Sequence, residues 1–211
     1  GNNKSLSEIG RAVSAGVGAI VVDSEIEIER IAAAAGAQEK VQPVRLRVNT
    51  GVHAHTHEFL ATAREDQKFG ISMSDVPALV AKIRESSNLE FLGLHSHIGS
   101  QIFSPEGFVE AAKRLIKLQA ELLKGGPVPE LNLGGGYGIN YTAADDAPEI
   151  GDFAKQITDA VAAACIEHGI SVPKLAFEPG RAIAGPAGVT LYTVGTIKDV
   201  RIDDSIRKYV S

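Results

Sequence analysis

Three strand-like runs of this sequence end in residues that can bind a charged small molecule. The run KLAF is followed by the segment EPGR, residues 178–181, which puts an acid close to a fixed cation. The other two runs end in HSHIGSQ, residues 95–101, and GGGYG, residues 134–138. Because ligands bind at the carboxyl ends of strands in parallel α/β folds, we expect these segments to form one site.

The glycine-rich segment offers backbone N–H groups to an anion. Gly134, Gly135 and Gly136 lack a Cβ atom, so their amides can turn inward and surround a phosphate. The segment is not a Walker loop, since no GKS or GKT follows, and its spacing is not the dinucleotide pattern GxGxxG. A tight turn at the end of a strand is the alternative explanation for these glycines.

The histidines and the acid also allow two interpretations. In an extended chain His95 and His97 share a face, so they could line a pocket or bind a metal, and Ser100 could donate its hydroxyl to a phosphate oxygen. Alternatively, both histidines are core residues that bond to the backbone. Glu178 likewise could serve only as a structural ion-pair partner of Arg181.

A third group of histidines suggests a different chemistry. His53, His55 and His57 alternate, and a strand carrying HxH is how some metal hydrolases hold zinc. Such sites also need later His and Asp ligands, and no strand after His97 ends in a well-placed Asp. We therefore interpret HAHTH as a solvated loop leading into a helix, and predict no metal site.

Composition limits the class of protein. The 211 residues are 44% hydrophobic and 22% charged, with a net charge of −5, so there is material for one sizeable core and no basic face for nucleic acid. No apolar run approaches the roughly 20 residues that span a bilayer, and the start of the chain does not resemble a signal peptide. The single cysteine, Cys165, cannot form an internal disulfide, which is typical of a cytoplasmic protein.

Helical and extended patterns alternate along the chain. This alternation with continuous apolar strands predicts a parallel sheet covered by helices, most simply a TIM-type barrel. Ser5 with Glu8 forms a capping box, Ser24 is expected to cap the second helix, and Gly16 and Gly36 are expected to end the first two helices. The predicted strands are 19–23, 44–48, 91–95, 130–133 and 174–178, and the predicted helices are 5–15, 24–35, 74–86, 106–124 and 150–168.

The pattern changes after the last of these strands. VTLYTVGTIKDV, residues 189–200, alternates as a half-buried strand does, so we predict a barrel domain over 1–186 and the start of an antiparallel β domain over 187–211. A closed barrel needs eight strands, and fewer are predicted here. We therefore expect an incomplete, central piece of a (β/α)8 barrel.

Several motifs in order resemble the diaminopimelate decarboxylases, which are barrel enzymes of the alanine-racemase-like class, fold type III, dependent on pyridoxal 5'-phosphate (PLP). The similarity extends over essentially the whole chain. Each motif alone is modest, but their occurrence together in this order is specific. Those motifs are GNNKS, IVVDS, DQKFGI, HSHIGSQI, LNLGGGYGINY and KLAFEPGRAIAGPAG.

The resemblance implies roles for individual residues. By analogy with the family, His97 stacks on the cofactor ring, and Ser100 with the three glycines from Gly134 holds the cofactor phosphate. Glu178 resembles the acid that keeps the pyridine nitrogen protonated, which makes His97 and Glu178 the candidate catalytic residues.

The remaining expected contacts are with anions and the cofactor. Arg181 resembles an arginine that receives the substrate carboxylate, although in ornithine-type relatives the equivalent residue reaches phosphate. Pro179 and Gly180 are expected beside the cofactor, and Arg47 resembles a barrel arginine near it.

The implied reaction is decarboxylation of meso-diaminopimelate to L-lysine and carbon dioxide, in a homodimer that takes up a small amino acid. No lysine has the context of the family's Schiff-base lysine, and neither the late cysteine motif nor the late tyrosine is present, so we expect this chain alone to be inactive. The alternatives are an arginine, ornithine or carboxynorspermidine decarboxylase, or a non-catalytic PLP-binding regulator.

Overall fold

A computed structural model describes residues 1–52, 68–203 and 205–211. The predicted loop containing His53, His55 and His57 lies outside these ranges. The helices are α1 (Leu6–Ala15), α2 (Glu25–Gly36), α3 (Val76–Glu85), α4 (Glu106–Leu122), α5 (Ile150–His168) and α6 (Gly180–Ala184). The strands are β1 (Ile20–Val22), β2 (Gln42–Asn49), β3 (Ile71–Ser72), β4 (Leu89–His95), β5 (Glu130–Asn132), β6 (Lys174–Ala176), β7 (Ile197–Ile202) and β8 (Ser205–Val210).

The parallel sheet follows chain order. Its strands lie in the order β1-β2-β4-β5-β6, and the short β3 pairs with the end of β2. This confirms the predicted parallel α/β architecture and each of the five predicted barrel strands. The register aligns Arg47 with His95, His95 with Asn132, and Asn132 with Ala176. One row across the sheet therefore carries three polar side chains at the ends of three neighbouring strands.

The two faces of the sheet differ in character. Along β2, Val44, Leu46 and Val48 are buried in the hydrophobic core, while Arg45 and Arg47 alternate with them and remain partly exposed. The apolar face packs against the helices, because burial of their aliphatic side chains is the main favourable contribution to folding. The arginine face points the other way and is the face that carries the site.

The helix ends agree largely with the sequence. The capping box of Ser5 and Glu8 is present, and Gly16 ends α1 in the left-handed conformation. Ser24 is the N-cap residue of α2 as expected, but its side chain makes no capping hydrogen bond. The helix runs one residue further than expected, since Gly36 is its last residue and Ala37 is its C-cap residue. Space at Gly36 is tight, since a Cβ there would lie 3.2 Å from the Asn88 side-chain oxygen.

The end of the chain forms an antiparallel hairpin of β7 and β8. The predicted strand over 189–200 was wrong for its first half, because the alternating residues 189–194 have no paired neighbouring strand within the described ranges. Val189 and Leu191 are each 90% exposed. Among the helices described, none is long and apolar enough to cross a membrane.

Candidate active site

A cavity of about 620 Å³ lies at the carboxyl ends of the parallel strands. Its volume is in the range of small-molecule sites. The structure brings five of the predicted site residues to its wall, namely Arg47, His95, His97, Ser100 and Glu178. The strand ends therefore converge as the sequence predicted.

Glu178 is held by two side chains from neighbouring strands. The Nε2 atom of His95 lies 3.3 Å from one carboxylate oxygen and 3.4 Å from the other, and the Asn132 side-chain amide donates to Oε1 at 3.0 Å. Because an ionised carboxylate only accepts hydrogen bonds, Nε2 is the protonated nitrogen of His95. These contacts fix the acid at the cavity wall and leave 48% of its side chain exposed.

The same contacts determine the charge of Glu178. The hydrogen bond from His95, together with that from Asn132, lowers the Glu178 pKa from 4.5 to about 2, against the opposing effect of burial. The carboxylate is thus negative at any physiological pH. It does not pair with Arg181, so the structural ion-pair interpretation was wrong.

Asn132 is a functional residue that the sequence reasoning missed. Its side-chain oxygen accepts the Gly134 N–H at 2.8 Å while its amide nitrogen donates to Glu178. One buried amide therefore links the glycine segment to the acid. A polar residue within the run ELNL, two positions before the first glycine, was the available signal.

The glycine segment packs against backbone on both sides. A Cβ atom on Gly134, Gly135 or Gly136 would overlap the carbonyl oxygen of Ser96, Glu178 or Gly99 respectively, and Gly134 and Gly136 have φ values of +70° and +108°. Close backbone approach thus explains all three glycines, as the tight-turn interpretation required.

Two of the three glycine amides are already used within the protein. The Gly134 N–H donates to Asn132, and the Gly135 N–H donates to Nδ1 of His97 at 3.3 Å. Within the described residues the Gly136 N–H makes no hydrogen bond. Of these amides, Gly136 is the one that remains available to an anion.

His97 lies just beyond β4, with its ring oriented by the glycine segment. Burial and the nearby Arg47 guanidinium lower the His97 pKa from 6.5. The imidazole is therefore neutral at pH 7 and presents an uncharged flat face. The core-histidine interpretation holds in part: the His97 ring accepts a hydrogen bond from the Gly135 backbone N–H, whereas the buried His95 ring contacts the Glu178 carboxylate instead of the backbone.

Arg47 projects into the cavity from β2, held by Asp23 and Phe69. Its Nη1 donates to the Asp23 carboxylate at 3.2 Å, and its guanidinium lies 4.7 Å from the centre of the Phe69 ring. Asp23 was also missed, although it directly follows the apolar run AIVV. Its backbone N–H donates to Glu27 at 2.8 Å, and Glu27 pairs with Lys4, which ties the start of the chain to this wall.

The EPGR segment divides its residues between two places. Gly180 begins α6 and its N–H donates to the Glu178 carbonyl at 2.8 Å, while Pro179 is the N-cap residue. Arg181 does not line the cavity; its Nη1 donates to the Gln101 side-chain oxygen at 3.3 Å. The acid and the cation predicted to act together are therefore separated by one tight turn.

Among the residues that the structure describes, no group of three metal-ligating side chains comes together. The HAHTH histidines lie outside that set.

The sequence matches a known protein family over most of its length. The profile described as "Pyridoxal-dependent decarboxylase, pyridoxal binding domain" matches residues 1–185. The chain belongs to this family. A pyridoxal-binding domain of this class is a β/α barrel, so the comparison confirms the predicted fold class and the predicted cofactor.

Curated relatives share close to half of the sequence. Diaminopimelate decarboxylases of Mycobacterium tuberculosis and Staphylococcus aureus are 49% and 47% identical to the whole chain, which covers 49% of each relative. The chain thus spans about half the length of the curated relatives it matches.

Solved structures agree with this assignment. A diaminopimelate decarboxylase from M. jannaschii is 28% identical, with a TM-score of 0.78. The match covers all of this chain and 48% of that one. A second, from Helicobacter pylori and complexed with L-lysine, is 27% identical, with a TM-score of 0.75. The match covers 87% of this chain and 45% of that one.

The residues around the cavity fit a pyridoxal phosphate group. An acid held in its ionised form suits a protonated pyridine nitrogen, a neutral imidazole suits a flat ring, and the Ser100 hydroxyl at the cavity wall suits a phosphate. Gly134, Gly135 and Gly136 do not line the cavity but pack directly behind Ser96, Glu178 and Gly99. The Nδ1 atom of His95 is buried, without a partner in the described structure. The side chains at this wall are therefore compatible with pyridoxal phosphate.

Proposed function

We propose that this pyridoxal-binding domain belongs to a diaminopimelate decarboxylase, which converts meso-diaminopimelate to L-lysine and carbon dioxide. The observation that supports it most strongly is the ionised Glu178, held at the cavity by His95 and Asn132, in a chain 49% identical to such enzymes. Proposed with it are a homodimer and, from the buried free Cys165, a cytoplasmic location.

When bound, pyridoxal phosphate supplies an electron-withdrawing ring that accepts the electron pair left behind by departing carbon dioxide. Glu178 keeps a proton on the ring nitrogen, because a carboxylate of such low pKa stabilises the neighbouring positive charge. His97 limits access of water to one face of the ring. Asn132 keeps Glu178 and the glycine segment in fixed relative positions.

The anionic groups are bound by the surrounding donors. Ser100 and the Gly136 amide are suited to the cofactor phosphate, with Gly134 and Gly135 shaping the segment that presents them. Arg181 is suited to the substrate carboxylate or the phosphate, since a guanidinium binds either anion through two parallel hydrogen bonds. Pro179 and Gly180 form the turn that places Glu178 and Arg181 apart.

The test is to incubate the complete gene product with PLP and meso-diaminopimelate and to measure L-lysine and carbon dioxide together. We expect both products in equal amounts. Glu178→Gln should abolish most turnover, and Glu167→Gln, an exposed residue on α5, is the matched control. Turnover of ornithine, arginine or carboxynorspermidine in place of diaminopimelate would reassign the substrate, and cofactor binding without turnover of any of them would indicate a non-catalytic regulator.

A further inference from the structure

The Gln101 side chain occupies a position between the glycine-rich segment and helix α6. Its amide nitrogen donates to the Ile139 carbonyl at 2.7 Å, and its oxygen accepts the Ile139 N–H at 3.3 Å. Both polar atoms of the amide are thus fixed by one backbone residue. The oxygen that accepts from Ile139 also accepts from Nη1 of Arg181 at 3.3 Å.

The backbone around Gln101 reinforces this arrangement. Ile102 forms an isolated parallel bridge with Tyr137, and its N–H donates to the Gly136 carbonyl at 2.9 Å. Gln101 itself has a φ of 57°, a left-handed conformation that is uncommon for residues other than glycine. Gln101 adopts this conformation with both polar atoms of its side chain paired, and these hydrogen bonds help to offset the cost of the backbone conformation.

The end of helix α6 packs against Ile139, the residue whose backbone bonds to Gln101. A Cβ atom on Gly185, just after α6, would overlap Cδ1 of Ile139, so the helix end and Ile139 are in close contact. Ile139 therefore contacts the helix end on one side and orients the Gln101 amide on the other. The Arg181 guanidinium also lies 5.8 Å from the centre of the Tyr141 ring.

We infer that Gln101 is a positioning residue for Arg181, holding the guanidinium through a neutral oxygen so that its full charge stays available to an anion. An acidic partner at this place would neutralise the cation, whereas an amide oxygen orients it without competing. This inference rests on the proposed function, in which the anion is a substrate carboxylate or the cofactor phosphate.

The test is a double-mutant cycle in the complete gene product. Gln101→Ala and Gln101→Gly are each made alone and together with Arg181→Ala, and Gln156→Ala on the exposed face of α5 is the control. Glycine suits the positive φ, so it removes the side chain without backbone strain and remains informative if the alanine variant misfolds. Thermal unfolding verifies that each variant is folded.

Two pairs of ligands identify the anion. Dissociation constants for PLP and for pyridoxal, which lacks the phosphate, report on the cofactor. Inhibition by L-lysine and by cadaverine, which lacks the carboxylate, reports on the substrate. We expect each Gln101 variant to weaken the binding of either PLP or L-lysine roughly tenfold, because one oriented charge-assisted contact is lost, and to leave the binding of pyridoxal and cadaverine unchanged. In the Arg181→Ala background the same substitutions should have no effect on binding.

Equal losses with and without Arg181 would overturn the inference, as would lower stability with unchanged affinities. Loss of PLP affinity alone assigns the anion as the phosphate, and loss of lysine affinity alone assigns it as the carboxylate; both results support the inference. The cycle measures binding, whereas the proposed function is tested by lysine formation in wild type. Either test can therefore fail while the other succeeds.

Discussion

The charge of Glu178 depends on its neighbours, and this gives a prediction about acid stability. Its pKa is lowered from 4.5 to about 2, so the folded state binds this proton less readily than the unfolded state. The resulting stabilisation is complete above pH 4.5 and is lost as the pH falls towards 2. Urea unfolding between pH 6 and pH 2.5 should therefore show a smaller decline in Glu178→Gln than in wild type. Some decline remains in both proteins, because the carboxyls of Glu130 and Asp145 also have lowered pKa values. Identical pH profiles for the two proteins would contradict the assigned pKa.

The neutrality of His97 depends in part on Arg47. Burial is the largest cause of its lowered pKa, and the Arg47 cation is the second. Arg47→Gln should therefore raise the His97 pKa towards 6.5, because it removes a repelling charge and frees the carboxylate of Asp23. NMR titration of the histidine side chains measures this directly. A His97 midpoint that stays unchanged in the variant would contradict the effect assigned to Arg47.

At this scale the sequence predicted the residues that are chemically conspicuous and missed those that support them. His97, Ser100 and Glu178 follow strands and carry recognisable chemistry, so their convergence could be predicted. Asn132 and Asp23 act through partners 46 and 24 residues away, and only the register of the strands brings these partners within hydrogen-bonding distance. The position of Arg181 beside Gln101 depends on a turn and a left-handed residue, which no pattern of residue types specifies.

At the scale of elements, strand β4 has a glycine at the point where side chains of its two neighbouring strands contact each other across it. Arg45 on β2 bonds to the Glu130 carboxylate on β5 although β4 lies between them, and Gly93 is the β4 residue aligned with both. Lys174 on β6 pairs with the same carboxylate at 3.0 Å. Gly93 follows a register shift in the β2–β4 ladder, which indicates a bulge.

Gly93→Ala tests how far the contacts of Glu130 with Arg45 and Lys174 depend on the lack of a side chain at position 93. A Cβ there would overlap the Glu130 carbonyl oxygen, and the φ of 155° disfavours any other residue. We expect the free energy of unfolding to fall by at least about 3 kcal/mol. Gly10→Ala within α1 is the matched control; it meets open space and should stabilise by up to about 1 kcal/mol. Denaturant unfolding of both variants measures the difference, and equal effects would show that β4 adjusts to the methyl group.

The helices and strands were predictable because periodicity and caps are local. The five parallel strands and the capping box of α1 follow from runs of apolar residues and from Ser5 with Glu8. The strand expected from residue 189 did not form before Ile197. Alternation describes a face that could be buried, whereas a strand also requires a neighbour to pair with, and pairing is a property of the tertiary structure.

On the scale of the whole molecule, exposed apolar residues are concentrated beyond residue 188. Leu191 and Tyr192 are 90% and 87% exposed, and Ile206 and Val210 on the hairpin are 61% and 57% exposed. The core of the barrel part, by contrast, buries Val22, Leu46 and Leu94 completely. Exposed apolar side chains at this density favour association with another protein surface.

The 211-residue chain studied by itself should therefore associate through this region. We expect it to bind a hydrophobic dye such as ANS and to elute as more than a monomer in size-exclusion chromatography, because burying the exposed side chains releases free energy in proportion to their apolar area. Leu191→Ser with Tyr192→Ser should reduce both signals, while Leu6→Ser, a single exposed leucine on α1, should leave them unchanged. A monodisperse monomer that binds no dye would contradict the prediction and would mean that residues 189–210 fold back onto the barrel.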